Sequence, residues 1–160
     1  MGKNKGFTLI ELLVSITILG ILLGIGIAAY NEFNKTQTVK QVALNLKNDL
    51  RQAQNKAMAG EKPASGCGVL NGYEVSFTAT SYSFYAKCSP GPSYGTATSG
   101  TLPTSVNLAV SPAGPVLFKV LGQGVDTTKT ICVTGFGKLY KLFITTSGEI
   151  QDGGFVGSCP

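Results

Sequence analysis

The sequence predicts an α+β fold, one long N-terminal helix followed by a strand-rich head. Three observations carry this. From Phe7 to Ala29 the only charge is Glu11, and no proline occurs before Pro63. Beyond Tyr30, apolar residues continue to recur at steps of three and four. From Cys67 onward the pattern changes to short β-branched and aromatic runs separated by Gly, Pro, Ser and Thr.

The chain opens on a short basic lead, Met1 to Gly6, with Lys3 and Lys5. The apolar run that follows would be about 35 Å long as a helix, enough to span the hydrocarbon core. It exceeds the apolar stretch of about 7–15 residues in an ordinary secretory signal. Lysines ahead of it place the start in the cytoplasm and the remainder outside. Within lipid, the Glu11 carboxylate is costly unless a counter-charge arrives from elsewhere. Gly20, Gly24 and Gly26 each weaken a helix by roughly 1 kcal/mol. Gly20 and Gly24 also form a small-xxx-small face for close helix packing.

The second half of the helix is amphipathic. Val39, Val42, Ala43, Leu46, Leu50, Ala53 and Ala57 fall on one face, with Lys40, Lys47, Asn48, Arg51 and Asn55 on the other. Gly60 is the expected stop, and Pro63 excludes continuation. The apolar stripe is expected to cover one sheet face. Tyr73 to Phe77 and Tyr82 to Lys87 predict a hairpin around Thr78 to Ser81. Ser89 to Pro103 is a loop by composition. Val106 to Val110, Val116 to Leu121, Thr130 to Val133, Leu139 to Thr146 and a short segment at Ile150 complete six or seven strands.

The chain has 160 residues and a net charge of +5. Without Lys3 and Lys5, 11 basic and 8 acidic side chains remain, a mild net of +3 that does not point to nucleic acid. Four cysteines, Cys67, Cys88, Cys132 and Cys159, all lie beyond the apolar run. An even count in an exported domain implies two disulfides. Of three possible pairings, Cys67–Cys88 would close a hairpin and Cys132–Cys159 would pin the C-terminus. No cysteine pair has zinc spacing and there is no histidine, so no metal is expected. The missing histidine also removes the usual general base. Asp126, Glu149 and Asp152 form no calcium-loop motif. Gly122-Gln123-Gly124 and Gly135-Phe136-Gly137-Lys138 are turn glycines, since neither has full phosphate-loop spacing. No enzymatic activity and no cofactor are expected.

Gly6-Phe7-Thr8-Leu9-Ile10-Glu11, opening a hydrophobic helix, closely resembles the class III signal of type IV prepilins and pseudopilins. The resemblance covers about the first 30 residues. It implies cleavage between Gly6 and Phe7 by prepilin peptidase, followed by N-methylation of Phe7. It also implies that Glu11 pairs with the terminal amine of a neighbouring subunit in a filament. Many major pilins carry a proline late in this helix, where this chain has Ala28.

Leu44 to Pro63 looks like the corresponding stretch of H-type pseudopilins and related minor pilins, whose head is a β-sandwich. Leu142 to Gly148 resembles their C-terminal strand and glycine turn. A DNA-binding branch of that group carries two arginines after such a glycine; Glu149 and Gln151 stand there instead, so nucleic acid is not an expected partner.

The resemblance thus implies a type IV pilin-like fold, with the helix packed on an antiparallel β-sandwich-like head. The expected parts are a leader (1–6), a transmembrane or filament-core helix (7–30), an amphipathic helix (31–62) and the head (63–160). The expected function is that of a filament subunit, a minor H-type pseudopilin or minor pilin of a type II secretion or type IV pilus system. The alternatives are a major pilin, or an exported tip module binding DNA or a surface ligand. Expected partners are other pilin or pseudopilin subunits, prepilin peptidase, the inner-membrane assembly platform and membrane lipid. The expected location is a single pass of the inner membrane, with a cytoplasmic N-terminus and an exported head, followed by incorporation into an extracellular or periplasmic filament.

Overall fold

A computed structural model describes residues 6–90 and 94–159. Lys3, Lys5 and the rest of the leader before Gly6 lie outside the described residues. One helix, α1, runs Leu9–Ala59, and eight strands follow. The described residues fall into two compact units, one ending at Thr36 and one beginning at Gln37.

The first unit is helical from Leu9 onward and exposes its apolar surface. The large apolar side chains described from Phe7 to Ile27 are 48–85% exposed. The helix is long and apolar enough to cross a membrane, and its most apolar window is entirely unburied. Its hydroxyl groups are satisfied locally. Ser15 Oγ donates to the Glu11 carbonyl at 2.7 Å, and Thr17 Oγ1 to that of Val14 at 2.8 Å. Bonding back to the preceding turn lets a hydroxyl sit among apolar neighbours without an unmet donor.

The second unit is built on the end of α1. Val39, Ala43, Leu46, Leu50, Ala53 and Ala57 are each at most 1% exposed, as the stripe predicts, and Val42 is half-buried. The helix stops where Gly60 takes φ 62°, in the left-handed region. Gly60 N–H donates to the Ala57 carbonyl and Glu61 N–H to that of Lys56. That is the Schellman pair of bonds, satisfying carbonyls a helix end would otherwise leave open.

The strands form two antiparallel sheets of four. β1 (Val69–Phe77), β2 (Ser81–Ser89), β3 (Tyr94–Thr101) and β5 (Val116–Lys119) make the first, in the order β3-β2-β1-β5. β4 (Val106–Ser111), β6 (Lys129–Gly135), β7 (Lys138–Ile144) and β8 (Ile150–Phe155) make the second, in the order β4-β6-β7-β8. Alternation along β2 and β7 buries Tyr82, Phe84, Ala86, Tyr140, Leu142 and Ile144 in one core with the helix stripe.

Three expectations need correction. Ser89 to Pro103 is not all loop, because β3 pairs with β2 from Ala86↔Tyr94 to Ser81↔Thr101. Gly, Ser, Thr and Ala hide an edge strand, since edge pairing needs backbone groups and no continuous apolar face. Residues 91–93 of that segment lie outside the described residues. The strand from Val116 ends at Lys119, and Val120–Gly122 turns as a short 3-10 segment with Leu121 at φ 55°. Lastly, α1 does not serve a single sheet: Asp49 and Lys47, which lie outside the apolar stripe, reach Tyr82 of the first sheet and Asp152 of the second.

Candidate functional site

The residues singled out at the N-terminus sit where the helix begins. Gly6, Phe7 and Thr8 precede the first helical turn, and Phe7 is 85% exposed. A Cβ at Gly6 would meet no atom within 4 Å among the described residues.

Thr8 and Glu11 cap the helix reciprocally. Thr8 N–H donates to Glu11 Oε2 at 3.2 Å, and the Thr8 hydroxyl donates to the same oxygen at 3.0 Å. Glu11 N–H in turn lies 3.3 Å from Thr8 Oγ1. This is a capping box, with threonine at the N-cap and glutamate three residues on. A carboxylate in the first turn also meets the positive end of the helix dipole. Both Thr8 donors go to Oε2, and Oε1 receives neither. Sequence reasoning on Glu11 alone missed Thr8. The signal was present as Thr-x-x-Glu ahead of an apolar run.

The head presents bonds that fix it to the helix. Tyr82 Oη donates to Asp49 Oδ2 at 2.5 Å, and Gln54 Nε2 to the Gly148 carbonyl at 3.0 Å. Lys47 Nζ lies 3.2 Å from Asp152 Oδ2. Burial, reinforced by the Asp49 carboxylate, raises the Tyr82 hydroxyl well above its ordinary value. Burial and the Asp152 carboxylate raise Tyr140 to about 12. Burial alone would raise Asp152. The Tyr140 hydroxyl, the Gly154 N–H and Lys47 outweigh it and hold that carboxyl below its usual range.

Two disulfides close the head. Cys67–Cys88 joins the chain just before β1 to the end of β2, with Cα atoms 5.4 Å apart. Cys132–Cys159 ties the C-terminal tail to β6 across 6.3 Å. Lys129 is 3% exposed, and its ammonium donates to the Pro112 and Ala113 carbonyls at 2.9 and 3.2 Å. It fastens the connection between β4 and β5, and no periodicity in the sequence marks it.

A cleft of about 460 Å³ beside the end of α1 is lined in part by Lys56, Glu61, Lys62, Tyr73 and Tyr85. Several of its polar groups are engaged by side chains or backbone. Lys56 pairs with Glu61, Lys62 with the Gly68 carbonyl, Tyr73 with the Glu61 carbonyl and Tyr85 with Glu74. Asp126 accepts from Leu117 and Thr127 N–H, while Glu149 accepts from Gln151 and Asp152 pairs with Lys47. No group of three or more potential metal-ligating side chains occurs among the described residues.

Residues 1–27 match the family described as Prokaryotic N-terminal methylation motif, so the chain carries the prepilin methylation motif. The chain is similar to Fimbrial protein Q of Moraxella bovis, 49% identical over 43 residues. That match covers 26% of this chain and 27% of the relative, so the chain spans about a quarter of the curated relative's length. No solved structure matches.

Proposed function

We propose that the chain is a structural subunit of a type IV filament, made as a precursor and assembled through its N-terminal helix. The carrying observation is the methylation motif at residues 1–27 opening directly onto an unburied apolar helix. In this reading prepilin peptidase removes residues 1–6 and the Phe7 amine is methylated. Residues 7–30 hold the subunit in the membrane and later in the filament core. Residues 31–62 carry the head, 63–160, outside.

Glu11 has two roles in sequence. In the stored subunit its Oε2 caps the subunit's own helix through Thr8. In the filament its Oε1 side takes the ammonium of a neighbour's Phe7. A lone carboxylate in lipid favours such a partner by several kcal/mol. The capping geometry supports this reading because it leaves one carboxylate oxygen outside the Thr8 contacts.

Within the filament family we favour a minor, H-type subunit of a type II secretion or type IV pilus system. The two-sheet head and the β7 strand ending in the Gly148 turn support this. The partners are then other pilin or pseudopilin subunits, the peptidase and the inner-membrane assembly platform. Mass spectrometry of the membrane form tests the core claim. A methylated Phe7 terminus is expected, and an intact Met1 or a cut near Ala29 overturns it. Subunit counting in isolated filaments separates minor from major, with a few copies per filament expected.

A further inference from the structure

We propose that the β6–β7 hairpin tip, Phe136 with Lys138 beside it, is an interfacial anchor that lays the head on the lipid surface before assembly. This rests on the membrane-held subunit proposed above.

The tip joins Gly135 to Lys138 by two residues, Phe136 at φ 51° and Gly137 at φ 72°. Such a turn, with positive φ at both residues, favours Asn, Asp or Gly at its first position. A phenylalanine there is held in a left-handed conformation that bulky side chains resist. Burial does not compensate, because Phe136 is 44% exposed. The head's own folding would be served better by asparagine. An aromatic ring kept in a strained and half-exposed turn points to a contact outside the head.

The place of the tip says what that contact is. A Cβ at Gly135 would lie 3.1 Å from Val39 Cγ2 and 3.0 Å from the Ser105 carbonyl. Val39 is the first buried residue of the head, two past its start at Gln37. The tip therefore sits at the end of the head where the chain enters. Only Tyr30 to Thr38 separate Val39 from Ala29, so chain connectivity alone ties this end to the bilayer. Lys40 is exposed at the same end. A shallow cavity of about 400 Å³ beside the ring is lined in part by Ser105, Asn107, Thr134 and Leu139. One aromatic ring with cations and neutral polar groups suits the headgroup layer, where rings settle and lysines meet anionic lipid. A protein partner would call for a broader face, of about 800 Å² a side.

The chain has no tryptophan, so a single one reports its own surroundings. Phe136→Trp is placed in the full chain. Val69→Trp serves as control; Val69 is 61% exposed and follows Gly68, whose carbonyl binds Lys62 beyond the end of α1. Each protein is reconstituted in phosphatidylethanolamine–phosphatidylglycerol vesicles, with and without bromine-labelled acyl chains. Flotation is read first, and a chain that does not float with vesicles overturns the membrane-held reading and the anchor with it. In floating samples, bromolipid should quench the Phe136→Trp emission at least twofold more than that of Val69→Trp. A second reporter, Asn107→Trp, leaves Phe136 in place. Adding Phe136→Asn to it should at least halve its quenching while leaving the urea midpoint no lower. Floating protein with equal quenching at both ends overturns the anchor alone. So does shielding that appears only as protein-to-lipid ratio rises, which would assign the tip to a second copy.

Discussion

Gly100→Ala should destabilise the head far more than an exposed glycine-to-alanine change in a strand. Gly100 lies on β3 opposite Tyr82, and a Cβ there would come 2.3 Å from Tyr82 Cζ and 2.4 Å from its hydroxyl. Ordinary contact begins near 3.4 Å, so the ring must move by about an ångström. Tyr82 is 7% exposed and bonded to Asp49 of α1, so that movement breaks the bond. Overpacking costs about 1–3 kcal/mol. Losing a hydrogen bond to a charged acceptor adds about 1.5–3 kcal/mol. Partial relaxation at the sheet edge keeps the sum near the lower end, about 3 kcal/mol. Urea unfolding of the full chain in detergent, followed by circular dichroism, measures it. In a Tyr82→Ala background the same substitution should cost under about 1 kcal/mol, since the obstructing ring is gone. A single Gly100→Ala variant within 0.5 kcal/mol of wild type, or equal costs in both backgrounds, would refute the reasoning.

Three other outcomes are expected. Glu11→Ala and Glu11→Gln should leave membrane insertion and cleavage intact but cut crosslinking between neighbouring subunits at least tenfold; wild-type crosslinking in both would remove the charge pair from the account. Tyr73, Tyr82 and Tyr140 are all raised above pH 10, chiefly by burial, so their contribution is complete below that value and fades as pH climbs through their folded values. Asp152 runs the other way, its contribution present above about pH 3.8 and lost as pH falls through its lowered value, and urea midpoints across pH should decline at both ends. Cys132→Ser should cost about 2–4 kcal/mol and expose the C-terminal tail to carboxypeptidase, whereas a tail that stays protected would show that β-sheet contacts alone hold it.

The parts of the fold legible in sequence were those where side-chain period follows backbone geometry. The stripe from Val39 to Ala57 is such a case, and every position in it except Val42 is fully buried. Periodicity names a face but not what the face meets. Nothing in the stripe therefore revealed that α1 serves both sheets. β3 escaped notice because Tyr94–Thr101 carries small and hydroxyl residues, and its pairing to β2 is made by backbone. At the N-terminus, the motif reading singled out Gly6, Phe7 and Glu11 and gave no part to Thr8, whose capping contacts are set by hydrogen-bond geometry. Phe136 was read as turn sequence. Its positive φ, which makes the ring informative, is a backbone property that composition does not carry.

Burial of the last part of α1 in the head has a mechanical consequence within that unit. The six fully buried residues from Val39 to Ala57 are interior to the head. A load along this part of the helix would arrive as shear along its seam with the head's core, with Asp49–Tyr82, Lys47–Asp152 and Gln54–Gly148 as cross-ties. The strands and this part of the helix must then yield together, so the head's breaking load is set by its hydrophobic interior.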